Sequence, residues 1–277
     1  MNKLFLRITQ VFVITIALII ILYPLYQTLI LSLRPLIDMR EYITQVQSRD
    51  VRFIPVYILP RAFSFEQYTA LDGTFLQAYW VSLLYTVAII ILHFPLAFVL
   101  GFVFAKVRFR GRNMLFFIFI ASMVLPFHIT VVPLNQILHH VNLFGTPWAV
   151  ILPSVFAPLG VFLLRQFISQ VPSEPLEAAV IDGAGMLRIL IFIILPIIRP
   201  GVAVFFLLTI SLQWSAIEPA LAFIHDEQWR PVSLWLRSAM TTDPTQIFAS
   251  GVLYALPMFI VVAVVARNAL PNWDDQF

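Results

Sequence analysis

Between Ile8 and Leu33 the chain carries no Asp, Glu, Lys or Arg, and the same holds from Gly73 to Ala105 and from Asn113 to Leu164. Backbone crosses hydrocarbon only where its N–H and C=O groups are paired within the segment, so runs of this kind read as helices. About 20 residues suffice for one crossing. The run from Asn113 to Leu164 is therefore read as two crossings, broken at "HHVNLFGTP", where Asn142, Gly145 and Pro147 are turn formers. Further apolar stretches lie at Pro200–Ile217 and Gln246–Ala266.

The expectation is an all-α polytopic membrane protein with six transmembrane helices, near 8–33, 78–105, 113–138, 147–168, 196–217 and 246–266, in one transmembrane domain over 1–277. The composition agrees: 11% of residues are charged, against roughly 25% in a soluble domain. The first run is too long for a signal-peptide core, and no small-residue cleavage pattern follows it, so it is expected to remain as a span. With no cysteine, thiol chemistry, disulfides and Cys-based metal sites are excluded.

The net charge of +3 does not form a basic domain that would suggest nucleic acid. Its cations fall between apolar runs, as topology signals. The cluster "KVRFRGR", Lys106–Arg112, marks a cytoplasmic loop, the "HHVNLFGTP" turn lacks Lys and Arg and is external, and Arg165, Arg188 and Arg199 return the chain to the inside. Lys3 and Arg7 agree, so both termini are expected in the cytoplasm. The loop from Arg34 to Asp72 carries five Arg and five acids and is too polar to span. It is expected along the outer surface with short helices, with Tyr57, Tyr68, Tyr79 and Trp80 at headgroup level.

Between the fourth and fifth spans, residues 172–196 form a segment of a different kind. Ser173 suits an N-cap, Pro175 is tolerated in a first turn, "LEAAVI" favours helix and "DGAG" breaks it, which predicts helix, glycine bend, helix. Leu187, Leu190, Ile191, Ile194 and Ile198 then repeat at helical spacing back into the bilayer. Ala178, Ala179, Gly183, Ala184 and Gly185 leave the bend with little bulk, with Glu177, Asp182 and Arg188 at its edges. Such a shape suits either docking into a groove of another protein or a re-entrant turn packed within the chain.

The spacing Glu177-Ala178-Ala179, then Gly183, Ile193, Leu195 and Pro196, resembles the signature of bacterial ABC importer permeases. "FAKVRFRGRNMLFF", "GTPWAVILPSVFAPLGVFLLRQF" and "AAVIDGAG" look like its carbohydrate-uptake branch, similar to the second permease subunit of maltose-type systems, and the likeness covers nearly the whole chain. The resemblance implies a non-catalytic subunit of the bacterial inner membrane that pairs with a homologous permease, expected to be a different chain. It also implies two cytoplasmic ATPase subunits, which use ATP and Mg, and an extracytoplasmic solute-binding protein. This chain would bind no cofactor or metal itself. The signature segment is then a cytoplasmic coupling helix, with Glu177, Ala178, Ala179, Asp182, Gly183, Ala184, Leu195 and Pro196 carrying that role. Three positions depart from the family pattern. Gly185 stands where a Ser is common, which would loosen the bend; "QWSAIEP" keeps Trp214 without the polar pair that often follows it; and "ALPNWDDQF" replaces a Gly-rich, Lys-containing tail, removing the basis for a tail contact with the ATPase.

A hydrophilic solute needs hydrogen-bond partners at bilayer depth. The candidates for its path are His128 and Asn135, in a stretch bracketed by Pro126 and Pro133, and Gln213 and Trp214. His93 and Gln136 have the same chemistry, and for each such lone polar residue in a span an interhelical hydrogen bond is a commoner role than a solute contact. Trp214 could stack on a sugar or anchor a span at the interface. The resemblance places the sugar site mostly in the partner permease. No HExxH, GxSxG or phosphate-binding GxxxxGK[ST] occurs, which argues against an enzyme. A secondary transporter would need an ion-coupling acid within a span, and none lies there. An alternative cargo, glycerol phosphate, would call for cations along the path.

Overall fold

The computed structural model describes residues 3–47, 59–60 and 62–269, and is helical throughout with no strand among them. Tyr57 and the tail from Leu270 onward lie outside the described residues. The helices are α1 (Lys3–Ser32), α2 (Leu36–Gln47), α3 (Glu66–Thr69), α4 (Gly73–Lys106), α5 (Arg112–Ala121), α6 (Phe127–His140), α7 (Trp148–Val155) and α8 (Pro158–Ser169). They continue with α9 (Glu174–Ile181), α10 (Met186–Ile189), α11 (Leu195–Ile197), α12 (Arg199–Trp214), α13 (Glu218–Phe223), α14 (Val232–Thr242) and α15 (Ile247–Ala269).

Four stretches are long and apolar enough to cross a membrane as single units: Arg7–Ser32, Gly73–Lys106, Trp148–Ser169 and Pro244–Arg267. The other two anticipated crossings are bent pairs. Within the span expected at 113–138 the chain turns by 102° between Arg112–Val124 and Phe127–His140. The cause is Pro126: its ring pushes the preceding residue out of the helical region, and Leu125 is extended at φ −69°, ψ 117°. The fifth crossing bends by 85° between Met186–Ile197 and Arg199–Trp214, at Ile198 (φ −93°, ψ 17°).

The described residues fall into two compact units. One joins the chain up to Gln77 with Trp235–Leu256. Here the polar loop after α1 folds back on the helix end. Gln67, fully buried, donates through Nε2 to the carbonyls of Leu31 and Arg34 at 2.7 and 3.0 Å, groups that the end of a helix leaves without intrahelical partners. Glu66 accepts the Leu36 N–H at 3.0 Å, and the Tyr68 hydroxyl meets that of Ser32 at 2.8 Å. Trp235 packs edge-on against Phe75 with ring centroids 5.0 Å apart, its indole N–H on Thr74 Oγ1 at 2.9 Å. The apolar side chains of α1 from Ile8 to Leu25 stand exposed, as suits a helix facing lipid or another chain.

The other unit runs from Ala78 to Leu234 and resumes at Pro257. Its core joins Ala97, Phe98 and Phe102 of α4, Val161, Leu164 and Ile168 of α8, Ile189, Leu190 and Ile194 after the bend, and Phe205 of α12. Lipid supplies no hydrophobic drive between helices, so close packing by small residues must hold them together. A Cβ on Gly160 would stand 2.2 Å from His93 Nε2 and 2.5 Å from Phe205, and one on Gly201 2.3 Å from Phe167. His93 is 2% exposed; its Nδ1 lies 2.6 Å from the Val155 carbonyl and its ring stacks on Phe205. This hydrogen bond is interhelical, joining α4 to α7.

Asp72 caps α4. Its carboxylate accepts the Thr74 hydroxyl at 2.6 Å and the N–H groups of Thr74 and Phe75 at 3.1 Å each. The Thr74 hydroxyl first, then the backbone donors, outweigh partial desolvation and hold the carboxyl below its usual range. A lowered carboxylate pKa means stability that is present above the ordinary value and lost as pH falls through the depressed one. Asp72→Ala is therefore expected to cost about 1 kcal/mol at neutral pH. The gap to the parent protein should close as acid protonates Asp72, and detergent-phase unfolding measured across the acid range checks this; a gap independent of pH would refute the cap.

Candidate functional site

The segment after α8 is built to present a surface. Helix α9 starts at Glu174 with Pro175 in its first turn. Ser173 is the residue before the helix, but it is itself helical (φ −80°, ψ −26°) and its hydroxyl makes no capping bond. Its carbonyl instead accepts the N–H groups of Leu176 and Glu177 at 3.0 and 2.9 Å.

The end of α9 is fixed by a closed turn. Gly183 takes φ +78°, the left-handed conformation that costs any residue with a Cβ. Its N–H donates to Val180 O at 3.0 Å, and the Ala184 N–H reaches back to Ala179 O at 2.9 Å. This pair of bonds is the Schellman arrangement, which satisfies the last carbonyls of the helix. Ala179 and Ala184 both pack on the core, beside Leu176. Gly185, by contrast, sits at φ −69°, ψ 158° with open space around its Cβ position. Any residue fits there, so the turn does not require glycine at this position.

Beyond the turn, α10 runs into a single wide π turn, Leu190–Ile194, and then α11. Pro196 has no N–H and its ring crowds the carbonyl four residues back, that of Phe192; widening the turn relieves the clash. Ile193 and Leu195 pack against the core, while Pro196 is exposed. The signature residues thus divide. Ala179, Ala184, Ile193 and Leu195 seat the segment, Gly183 makes its turn, and Glu177, Ala178 and Asp182 face outward.

None of the eight residues of α9 is buried. Val180 is 62% exposed, Ile181 86% and Leu187 72%, with Met186 beside them. Four large apolar side chains around a charged turn form an uncovered surface; Leu187, expected in the apolar stripe leading back into the bilayer, is one of them, and the other three carried no expected role. Their sequence signal was their size and position next to "DGAG".

The "KVRFRGR" stretch, read only as an orientation mark, also ties helix ends together. Lys106 donates to the Val171 carbonyl, and Arg112 to those of Ala105 and Val107 at 3.5 and 3.3 Å. Arg165 donates to Phe104 O at 3.2 Å and lays its guanidinium 3.8 Å from the centre of the Phe116 ring. Between this stretch and α9 opens a cavity of about 830 Å³, with Lys106, Arg108 and Arg112 on one side and Leu176, Glu177, Val180 and Ile181 on the other.

The four solute candidates lie on two helices with different surroundings. On α6, His128 is exposed and Asn135 half-buried, among residues such as Phe127, Val131 and Leu134 that pack with Leu138 and Phe223. On α12, Gln213 is half-buried and lines a cavity of only about 20 Å³ with His93 and Thr209. Trp214 is 2% exposed and meets Tyr79 edge-on at 5.4 Å. Its ring is neither open to a sugar nor free to anchor at an interface in this conformation. Among the described residues no group of three or more His, Asp or Glu is placed to hold a metal.

Residues 94–273 match the family model described as binding-protein-dependent transport system inner membrane component. Over 252 residues the chain is 27% identical to the arabinooligosaccharides transport system permease protein AraQ of Halalkalibacterium halodurans, covering 90% of this chain and 88% of that one. It is 29% identical to protein LplC of Bacillus subtilis over 78% of this chain and 74% of that one. With the sn-glycerol-3-phosphate transport system permease protein UgpE of Yersinia pestis it shares 30% over 58% and 59%. The crystal structure of a bacterial ABC transporter involved in the import of the acidic polysaccharide alginate contains a chain of the same fold, with TM-score 0.76 and 22% identity over 96% of this chain and 98% of that one.

The geometry of the turn separates its glycines. Gly183→Val is expected to destabilise the segment by about 1–2 kcal/mol, the cost of a left-handed residue with a Cβ, although no atom lies within 4 Å of the added carbon. Gly185→Ser should change stability by less than about 0.5 kcal/mol. Limited proteolysis across residues 174–190 distinguishes them: faster cleavage in the Gly183 variant only is expected, and equal cleavage in both would refute the assignment.

Proposed function

Because this chain belongs to the family of binding-protein-dependent transport system inner membrane components, we propose that it is the transmembrane subunit of an ABC importer that forms half of the path for a sugar or oligosaccharide. It sits in the bacterial inner membrane with six crossings, the third and fifth of them broken, and both termini in the cytoplasm. A homologous permease, a different chain, completes the path, and an extracytoplasmic binding protein delivers the solute. ATP and Mg are used by two ATPase subunits on the cytoplasmic face.

The observation that carries this reading is the uncovered surface of α9 and its turn. Glu177, Ala178, Asp182 and Gly183 form the docking edge, Ala179 and Ala184 hold it on the core, and Leu195 and Pro196 lead its motion into the fifth crossing. When ATP closes the ATPase pair, the seated segment moves with it and the crossings change their opening as a body. A sugar is favoured by AraQ, whose name gives arabinooligosaccharides as cargo. UgpE keeps glycerol phosphate as the second reading. Against it, the charge-free runs that form the crossings carry no Lys or Arg to line a path for a phosphate ester. His128, Asn135 and Gln213 remain the candidates for solute contact, and Trp214 would serve only if it were uncovered in another state.

The absence of cysteine makes an introduced thiol the only one in this sequence, so labelling is read on this chain alone. Ile181→Cys is expected to react with a membrane-impermeant maleimide in inside-out but not right-side-out vesicles, and severalfold more slowly once the ATPase subunits are bound. Labelling from the outer side would overturn the orientation, and labelling indifferent to the ATPase would overturn the docking role. In the same vesicles Gly183→Trp should insert normally yet lose ATP-driven uptake.

A further inference from the structure

We propose that Lys106, Arg108 and Arg112 form a headgroup site for an anionic phospholipid. Two cavities, of about 830 and 340 Å³, share Arg108 and Arg112 in their walls. The larger adds Lys106, and Glu177 is the one carboxylate lining either of them. Three cations against one acid select an anion.

The cations are held ready in different ways. Lys106 and Arg112 are fixed by carbonyls of Val171, Ala105 and Val107, yet each has further N–H groups to offer. Arg108 is exposed and makes no hydrogen bond or ion pair with the described residues. A cation left in that position beside two fixed ones suits a phosphate, which accepts hydrogen bonds from several donors at once.

The apolar surroundings decide between a lipid and a soluble anion. Met114 lines the smaller cavity with Phe109. From there α5 continues into the membrane region with Leu115, Phe117 and Ile118 exposed at 52, 72 and 53%. A free phosphate or nucleotide has no use for that strip, whereas acyl chains descending from a headgroup at Arg108 would cover it. The level is also right: α4 has 34 residues, about 50 Å of helix, enough to carry Lys106 beyond the hydrocarbon into the headgroup layer. Basic pockets between membrane helices bind anionic headgroups in this manner.

Arg110 provides the control, because it is exposed, carries the same charge in the same loop and lines neither cavity. The full chain, purified with the subunits it assembles with, is exchanged into phosphatidylglycerol or phosphatidylcholine, and retained lipid is counted by native mass spectrometry. Preferential retention of phosphatidylglycerol is expected, falling about fivefold in Arg108→Gln, the worth of one cation at an anionic surface. Arg108→Lys should keep it and Arg110→Gln should leave it unchanged. Equal losses in Arg108→Gln and Arg110→Gln would show a diffuse charge effect, and equal retention of the two lipids would show no headgroup selection. Displacement of the lipid by inorganic phosphate would make this a small-anion site. Lipid that binds only after the ATPase subunits are stripped away would assign the face to them. Each of these four outcomes overturns the proposal.

Discussion

Everything in this chain follows from the need to pair backbone polar groups where water is scarce. Within a helix the pairing is automatic, so the informative places are the ends and the breaks. At the end of α1 the side chain of Gln67 takes the carbonyls of Leu31 and Arg34. At the end of α4 the work passes to Arg112 and Arg165, and past the end of α8 to Lys106. Because each donor comes from elsewhere in the chain, satisfying a helix end also ties one element to another. Arg165 does so twice, once to α4 through Phe104 O and once to α5 through the Phe116 ring.

The frame these ties secure is dense where glycine permits. Gly160 lies against His93 and Phe205, Gly201 against Phe167, and Gly101 against the Arg165 backbone, where a Cβ would come within 3.1 Å. Packing of this kind moves as a block, because filled interiors have no room for continuous deformation. The compliance of this unit is left to its breaks: the extended Leu125 before Pro126, the bend at Ile198 and the π turn before Pro196.

Charge-free runs made the straight crossings legible in the sequence, since a run of that length has only one way to be stable in lipid. The bent crossings were not, although their prolines were visible. Pro95 in α4 and Pro257 in α15 are carried inside continuous helices, while Pro126 breaks one, and composition alone does not separate these outcomes. In the candidate site the signature and the helix-bend-helix order could be read directly, because Gly183 marks a positive φ and prolines mark helix starts. Which residues face inward was not readable, as Ala178 and Ala179 are alike in sequence but only Ala179 packs on the core. The surroundings of Trp214 were hidden for a related reason: nothing in the sequence beside a tryptophan near a helix end shows that Tyr79 packs against it.

Under the proposed function, the division within the signature also indicates where a load on α9 would go. Two hydrogen bonds close the turn at Gly183, and the alanines on either side of it are seated on the core, so the turn resists opening more than a single-bonded bend would. Under the proposed function, a displacement of α9 would therefore be passed on into α10 and not absorbed at the glycine. The next element in its path is the π turn, whose hydrogen bonds are already wider than helical ones and whose neighbour Pro196 contributes no donor. Beyond it lies the bend at Ile198 and then α12, whose Phe205 reaches back to His93 and Gly160. In the proposed coupling role, a turn closed by two hydrogen bonds followed by a wide one would convert a push at the exposed end of the segment into rotation of the helix that follows.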